Sequence, residues 1–266
     1  MLKKSDIQLV VCDLDGTLLK KDETLDSHII EILKNDDYLF TLASGRNRVL
    51  IKKYIKDLDI QIPYIANNGA EIIQNDQTLY QKNIVVEELE VLLKLAIQYN
   101  LECLINCENR IFTIGNIHLM SKFRNRFINL LPILDNAEIS EVLKYGVQKV
   151  MFHHENISVL DEFSSQVNFF CQNTICARAE GVSYCAKHKY ADKGNALRKL
   201  TEILDVDINK VLVFGDNYND LNLFKTAIWS VAMDNAEEIL KKRATFITKS
   251  NNENGVSLFL KNIPTE

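Results

Sequence analysis

The sequence predicts an α/β protein in which a doubly wound parallel-sheet core is interrupted by an inserted α/β domain. Three observations point there. Short, almost continuously apolar runs at Leu9–Cys12, Tyr38–Ala43 and Val211–Phe214 have the pattern of strands buried on both faces. The stretches between such runs repeat apolar residues three and four apart, as helices covering those faces do. This strand–helix rhythm breaks near Lys82 and resumes after Lys187.

The elements follow in order. Leu9–Cys12 is a strand that stops at Asp13; after a polar loop, Ile29, Ile30 and Leu33 recur at helical spacing behind the possible caps Asp26 and Ser27. Tyr38–Ala43 ends at Ser44-Gly45, a helix follows through Val49, Ile51, Tyr54, Ile55 and Leu58, and Tyr64–Ala66 reads as a third strand. Glu71–Lys82, with Gln74-Asn75-Asp76-Gln77 at its centre, reads as a hairpin. The inserted segment carries a helix over Val86–Tyr99, strands around Cys103 and Phe112, and a helix over Met120–Leu131. A strand over Val147–Phe152, a helix near Val159 and strands around Phe169, Ile175 and Ser183 complete it. Beyond Asp192 come a helix with Ala196, Leu197, Leu200 and Leu204, the strand Val211–Phe214, a helix from Leu221 and a strand over Trp229–Ala232; Ala236–Lys242, Phe246–Thr248 and Val256–Leu260 finish the chain. The expected division is a Rossmann-like core of residues 1–82 and 188–266 around an insertion of residues 83–187.

Composition narrows the function classes. At 266 residues, 47% hydrophobic and 25% charged, the chain is long and apolar enough to bury a core, which excludes a disordered chain or a small disulfide-stapled module. A net charge of -5 provides no broad positive field for a polyanion, so nucleic acid is not an expected partner. The six cysteines include no C-x-x-C pair and read as reduced thiols. No apolar run approaches the roughly 20 residues that span a bilayer, and the N-terminal apolar stretch is too short for a signal peptide, so a cytoplasmic protein without a membrane partner is expected. A monomer is expected, with a homodimer as the alternative.

Four clusters could carry chemistry. Asp13-Leu14-Asp15-Gly16-Thr17 directly follows a buried strand, where open α/β sheets place their ligands. A carboxylate there can attack phosphorus, and a second one two positions on can give and recover the leaving-group proton. Gly16 permits the turn, and backbone N–H groups beyond it, at Thr17, can hold a phosphoryl oxygen; an acidic helix-capping loop is the alternative. Ser44 ends the second strand, where its hydroxyl and the N–H groups from Gly45 onward could bind phosphate or simply cap a helix. Gly215-Asp216-Asn217-Tyr218-Asn219-Asp220 again puts acids after a strand, as a Mg²⁺ site or as a turn and cap. Lys193, opening the first helix after the insertion, is the best cation to relieve repulsion between these acids and a phosphate, its alternative being a surface lysine.

These clusters, in this order, resemble the haloacid dehalogenase-like hydrolase superfamily and its Cof-type, sugar-phosphatase-like branch. Asn67-Asn68-Gly69-Ala70, Val231-Ala232-Met233-Asp234-Asn235-Ala236 and Thr248 through Gly255-Val256 extend the similarity; the inserted segment matches more loosely. The resemblance implies a Mg²⁺-dependent phosphomonoesterase acting on a small phosphorylated metabolite, with the insertion as a cap. Asp13 would be the nucleophile and Asp15 the general acid and base. The Asp15 main-chain carbonyl would join Asp13 and Asp216 around the metal, supported by Asp220. Ser44, Lys193 and Asn219 would hold the phosphate together with Thr17 and Gly45, and Asn68, Arg178 and Glu180 are the expected substrate contacts, the last two being equally suited to surface ion pairs. Asp234 departs from the glycine usual before Asn235, without touching these roles. A phosphomutase using the same aspartyl phosphate and a phosphometabolite-binding regulator with little turnover are the alternatives; dehalogenation does not need Asp15 or the acidic metal site.

Overall fold

The computed structural model of the chain describes residues 2–115, 118, 120–125, 127–179 and 183–265. They divide into two compact units, Met1–Gln81 with Asp192–Glu266, and Lys82–Ala191. The strand pattern expects the return to the core at residue 188. Packing places it after Ala191, because the last strand of the inserted unit runs through His188, the Ala191 N–H donates to the His188 carbonyl and Lys187 Nζ donates to the Ala191 carbonyl.

The first unit opens with β1 (Leu9–Cys12), α1 (Ser27–Asn35), β2 (Leu39–Leu42), α2 (Arg48–Asp57) and β3 (Tyr64–Ala66). The Asp26 carboxylate caps α1 by accepting the His28 N–H at 3.0 Å. β4 (Glu71–Gln74) and β5 (Gln77–Gln81) form the expected hairpin, with Asn75 and Asp76 both at positive φ, as a two-residue turn of right-handed strands requires.

The chain then builds the second unit from α3 (Val86–Gln98), β6 (Glu102–Cys107), β7 (Ile111–Ile114), α4 (Ser121–Asn125), β8 (Ile133–Leu134), α5 (Ile139–Val142), β9 (Val147–His153), α6 (Ile157–Phe170), β10 (Thr174–Arg178) and β11 (Ser183–His188). Its six strands lie in the order β10-β11-β9-β6-β7-β8, antiparallel except for β7 with β8. Leu89, Leu92, Leu93 and Ala96 of α3 and Leu160, Phe163 and Val167 of α6 fall at helical spacing and share a core with Cys103, Ile105, Val150 and Phe152. Two local expectations are corrected here. Phe169 lies in the exposed last turn of α6, not in a strand, because the helix buries its Leu160–Phe163–Val167 face and its hydrogen bonding runs on to the Cys171 N–H, which donates to the Val167 carbonyl. Of the helix read over Met120–Leu131, the described residues form α4 over Ser121–Asn125 and turns over 127–130, with Phe127 buried.

The return to the first unit adds α7 (Lys193–Leu204), β12 (Val211–Gly215), α8 (Leu221–Thr226), β13 (Trp229–Ala232), α9 (Glu238–Lys241), β14 (Phe246–Ile247) and α10 (Gly255–Lys261). All five strands of the main sheet, β14-β13-β12-β1-β2, are parallel. The protein is therefore an α/β fold with a doubly wound parallel sheet. β1 is an interior strand between β12 and β2, with Cys12 level with Phe214 on one side and Leu42 on the other. This register brings the residues after three separate runs, Asp13, Ser44 and Asp216, to the same carboxyl edge. No described helix is long and apolar enough to cross a membrane.

Phe163 is fully buried, with its ring centroid 4.7 Å from Phe152 and 6.0 Å from Tyr99. Phe163→Ala should lower the stability of the second unit by about 3–5 kcal/mol. Urea unfolding followed by circular dichroism checks this, a loss below about 1 kcal/mol being inconsistent with this packing.

Candidate active site

The site grows out of the parallel register. Asp13 continues β1, its N–H donating to the Phe214 carbonyl of the neighbouring strand at 3.1 Å, and it is only 4% exposed. On that neighbour, Gly215 ends β12 and Asp216 follows. Gly16 turns the chain back at φ +78, and a Cβ there would come within 2.8 Å of Asp216 Cγ, so the turn needs glycine for both conformation and space. Asn235 Nδ2 fastens the turn by donating to the Gly16 carbonyl at 2.8 Å, and the Thr17 hydroxyl donates to Asp216 Oδ1 at 3.0 Å.

Lys193 enters from α7. Asp192 caps that helix by accepting the Gly194 and Asn195 N–H groups at 2.9 and 3.0 Å. Gly69, at φ +91, lets the Asn67-Asn68-Gly69-Ala70 turn lie directly against the helix start, where a Cβ would be 2.9 Å from the Lys193 nitrogen. The fully buried Lys193 Nζ donates to Asp13 Oδ1 at 2.5 Å and to Asp220 Oδ1 at 2.6 Å. The other Asp220 oxygen accepts the Asp216 and Asn217 N–H groups, each at 3.1 Å. Both Asp220 oxygens are thus engaged: the residue holds the ammonium and shapes the loop that carries Asp216.

Charge in this pocket does not balance. Asp13, Asp216 and Asp220 each bring a carboxylate oxygen within 4.8 Å of the others, and three negative charges against the one of Lys193 leave -2. Burial pushes the Asp13 carboxyl well above the ordinary range, with repulsion from Asp220 and Asp216 overriding part of the relief from Lys193. Burial and Asp220 likewise push Asp216 up to about 6. Burial alone would lower Lys193, but Asp13 and Asp220 more than offset it and keep it charged. An oxygen-only donor set with excess negative charge fits a hard divalent cation, which Asp13 and Asp216 could hold, both Asp220 oxygens being engaged elsewhere. The Asp15 carboxylate is not part of this cluster.

The remaining expected residues are placed as follows. Ser44 is buried, and its Oγ accepts the Arg46 N–H at 3.0 Å, leaving the hydroxyl hydrogen for a ligand. Asn68, at φ +55, lies against Gly45, and its Oδ1 accepts Asn219 Nδ2 at 2.9 Å. Asn68 and Asn219 therefore form one amide pair beside Ser44. Thr17 is turned onto Asp216, so its side chain supports an acid in this arrangement, which leaves only its backbone for the role expected from sequence. Arg178 ends β10 in the second unit, and Glu180 lies outside the described residues.

Arg46 is a site residue that the motif reading did not assign. Its Nε donates to both Asp15 oxygens at 3.1 and 2.9 Å and its Nη2 to Asp15 Oδ1 at 2.6 Å. The available signal was its place in Ser44-Gly45-Arg46, a cation immediately after a phosphate-type turn. Asn235, which fastens the Gly16 turn, is a second such residue.

The sequence profile of the family described as haloacid dehalogenase-like hydrolase matches residues 10–260. The chain belongs to this family. Among its relatives in the family, the 5-amino-6-(5-phospho-D-ribitylamino)uracil phosphatase YwtE of Bacillus subtilis is 29% identical, covering 96% of this chain and 97% of its own. A haloacid dehalogenase-like hydrolase from Bacteroides thetaiotaomicron superposes with a TM-score of 0.85 at 27% identity, covering 97% of this chain and 99% of its own. A protein of Thermotoga maritima superposes with a TM-score of 0.87 at 26% identity over 98% of both chains. The match spans the inserted unit as well as the core, so the family assignment extends over both parts of the chain.

Because Asp216 is held near 6, the folded, metal-free chain binds a proton between pH 3.8 and about 6 where the unfolded chain has lost it. This group's contribution to metal-free stability therefore falls as pH rises through that window, and a bound divalent cation removes the deficit. Added Mg²⁺ should raise Tm more at about pH 7.5 than at about pH 5. Differential scanning fluorimetry tests this; an equal shift at both values contradicts the charge assignment.

Proposed function

We propose that the protein is a Mg²⁺-dependent phosphomonoesterase that hydrolyses small phosphorylated metabolites through an aspartyl phosphate. The observation that carries this reading is the buried Asp13 carboxylate held by Lys193 beside Asp216 and Asp220 at the carboxyl edge of the sheet. That edge is where an open parallel sheet receives its ligand.

In this reading Asp13 and Asp216, with the Asp15 main-chain carbonyl, would hold Mg²⁺, which would supply positive charge for the phosphoryl oxygens. The Ser44 hydroxyl and Lys193 ammonium bind the phosphate, and the Asn219–Asn68 pair lines its approach. An Asp13 carboxylate oxygen attacks phosphorus in line. The P–O bond to the leaving group breaks, and Asp15 gives that oxygen a proton. A water then attacks the same phosphorus and Asp15 takes its proton. The P–O bond to Asp13 breaks and inorganic phosphate is released. Lys193 keeps its charge throughout because two carboxylates flank it, so it orients Asp13 and meets the charge of the transferring group.

The Lys82–Ala191 unit is assigned the choice of leaving group, with Arg178 as a contact. The name of the YwtE relative favours a phosphorylated sugar or sugar-alcohol moiety in the substrate. Six free thiols, five of them buried, and a net charge of -5 support a cytoplasmic protein that takes a small molecule and neither nucleic acid nor membrane; a monomer is the proposed state.

Phosphate release from a panel of sugar, sugar-alcohol, nucleotide and pyridoxal phosphates, with Mg²⁺ or chelator, tests the reading. Native protein should release phosphate only with the metal. Asp13→Asn should lower kcat by at least about 10³-fold with the circular dichroism spectrum unchanged. Full activity in Asp13→Asn would overturn the mechanism.

A further inference from the structure

Resting on the acid–base role given above to Asp15, we propose that Arg46 is the positioning residue that makes Asp15 an effective proton donor, with Glu23 as its counter-anchor. The guanidinium meets both Asp15 oxygens through Nε and Nη2, at 2.6 to 3.1 Å. Nη2 also lies 3.1 Å from Glu23 Oε1. One cation is therefore shared between two acids, only one of which belongs to the reaction.

Stability alone is a poor reason for this arrangement. The side chains of Asp15 and Glu23 are 53% and 63% exposed, and ion pairs at such exposure contribute little to folding. Arg46, in contrast, is fixed at both backbone and side chain, and its side chain is only 17% exposed. The Arg46 N–H donates to Ser44 Oγ at 3.0 Å and its carbonyl accepts the Asn67 N–H at 2.9 Å. Its side chain lies over the Tyr54 ring, 5.3 Å from the centroid, and the Tyr54 hydroxyl donates to the Glu23 carbonyl at 3.4 Å. Glu23 itself sits at φ +63 in a tight turn that its N–H closes by donating to the Lys20 carbonyl at 2.9 Å.

The function follows from where charge develops. When Asp15 protonates the leaving oxygen, its carboxyl passes from neutral to anionic. Donors already aimed at both oxygens stabilise that charge more in the transition state than in the protonated ground state. While Asp15 carries its proton, Glu23 keeps the guanidinium paired and in place, so no reorganisation is needed when the charge forms.

The test compares two esters in the full chain with saturating Mg²⁺: an alkyl phosphate, whose alkoxide must be protonated as it leaves, and p-nitrophenyl phosphate, whose phenolate leaves without a proton. Arg46→Ala should lower kcat for the alkyl ester by about 10²-fold and for the aryl ester by less than about threefold, with KM for both nearly unchanged. Arg46→Lys should recover about tenfold of the alkyl loss. Arg46→Gln, which keeps a donor without the charge, carries the same comparison if the alanine variant does not fold. Equal losses on the two esters, or a rise in KM with kcat kept, would overturn the proposal. Asp15→Asn separates the two levels: selective alkyl loss there without it in Arg46→Ala defeats only the role of Arg46, whereas no selectivity in Asp15→Asn defeats the acid–base reading and this proposal with it.

Discussion

Lys193 has to be charged in a place where water cannot reach it, and the geometry of the site can be traced to that requirement. A buried ammonium is tolerated only with partners on its donors, and breaking such a pair costs about 3–5 kcal/mol. Asp13 and Asp220 supply those partners at 2.5 and 2.6 Å. The two acids come from the ends of adjacent strands, so the pairing depends on β1 lying beside β12 with Cys12 level with Phe214. It depends equally on α7 starting where Asp192 caps it and Gly69 allows close approach. Sheet register, helix cap and turn are thus tied together by one cation.

The same cation is not enough. Asp216 is drawn into the group by the Gly16 turn, the Thr17 hydroxyl and the Asp220 carboxylate that fixes its loop. Its presence leaves the cluster with negative charge in excess, and the upward push on the Asp13 and Asp216 carboxyls expresses this. A nucleophilic carboxylate must be ionised to attack, so the site as folded calls for a further positive charge before it can react. Electrostatic repulsion and the oxygen-only donor set lead together to a divalent cation.

Much of this could be read in the amino acids. Runs such as Val211–Phe214 leave no doubt about a buried strand because every residue is apolar, and the acids that follow them must then share the carboxyl edge. Asp13 and Asp216 were legible for this reason, although they lie far apart in the chain, and Lys193 was legible because acids facing a phosphate call for a cation. What the pattern could not supply was pairing between polar side chains. Thr17 has the composition of a phosphate-loop residue, yet its hydroxyl is committed to Asp216; Arg46 looks like an ordinary helix-start cation, yet it chelates Asp15. Phe169 was misplaced because a bulky apolar residue at a helix end has the same local signature as one in a strand, and only the burial of Leu160, Phe163 and Val167 along one face decides between them.

The central claim is that the carboxylate held by Lys193 becomes covalently phosphorylated. Acid-quenching the enzyme during turnover of a small phosphate monoester with Mg²⁺, followed by peptide mass spectrometry, tests it most directly. A phosphoryl group should appear on the peptide containing Asp13, labile to mild base and absent when the metal is chelated. Sustained turnover with no phosphoryl group on that peptide, or with the group on another residue, would contradict it.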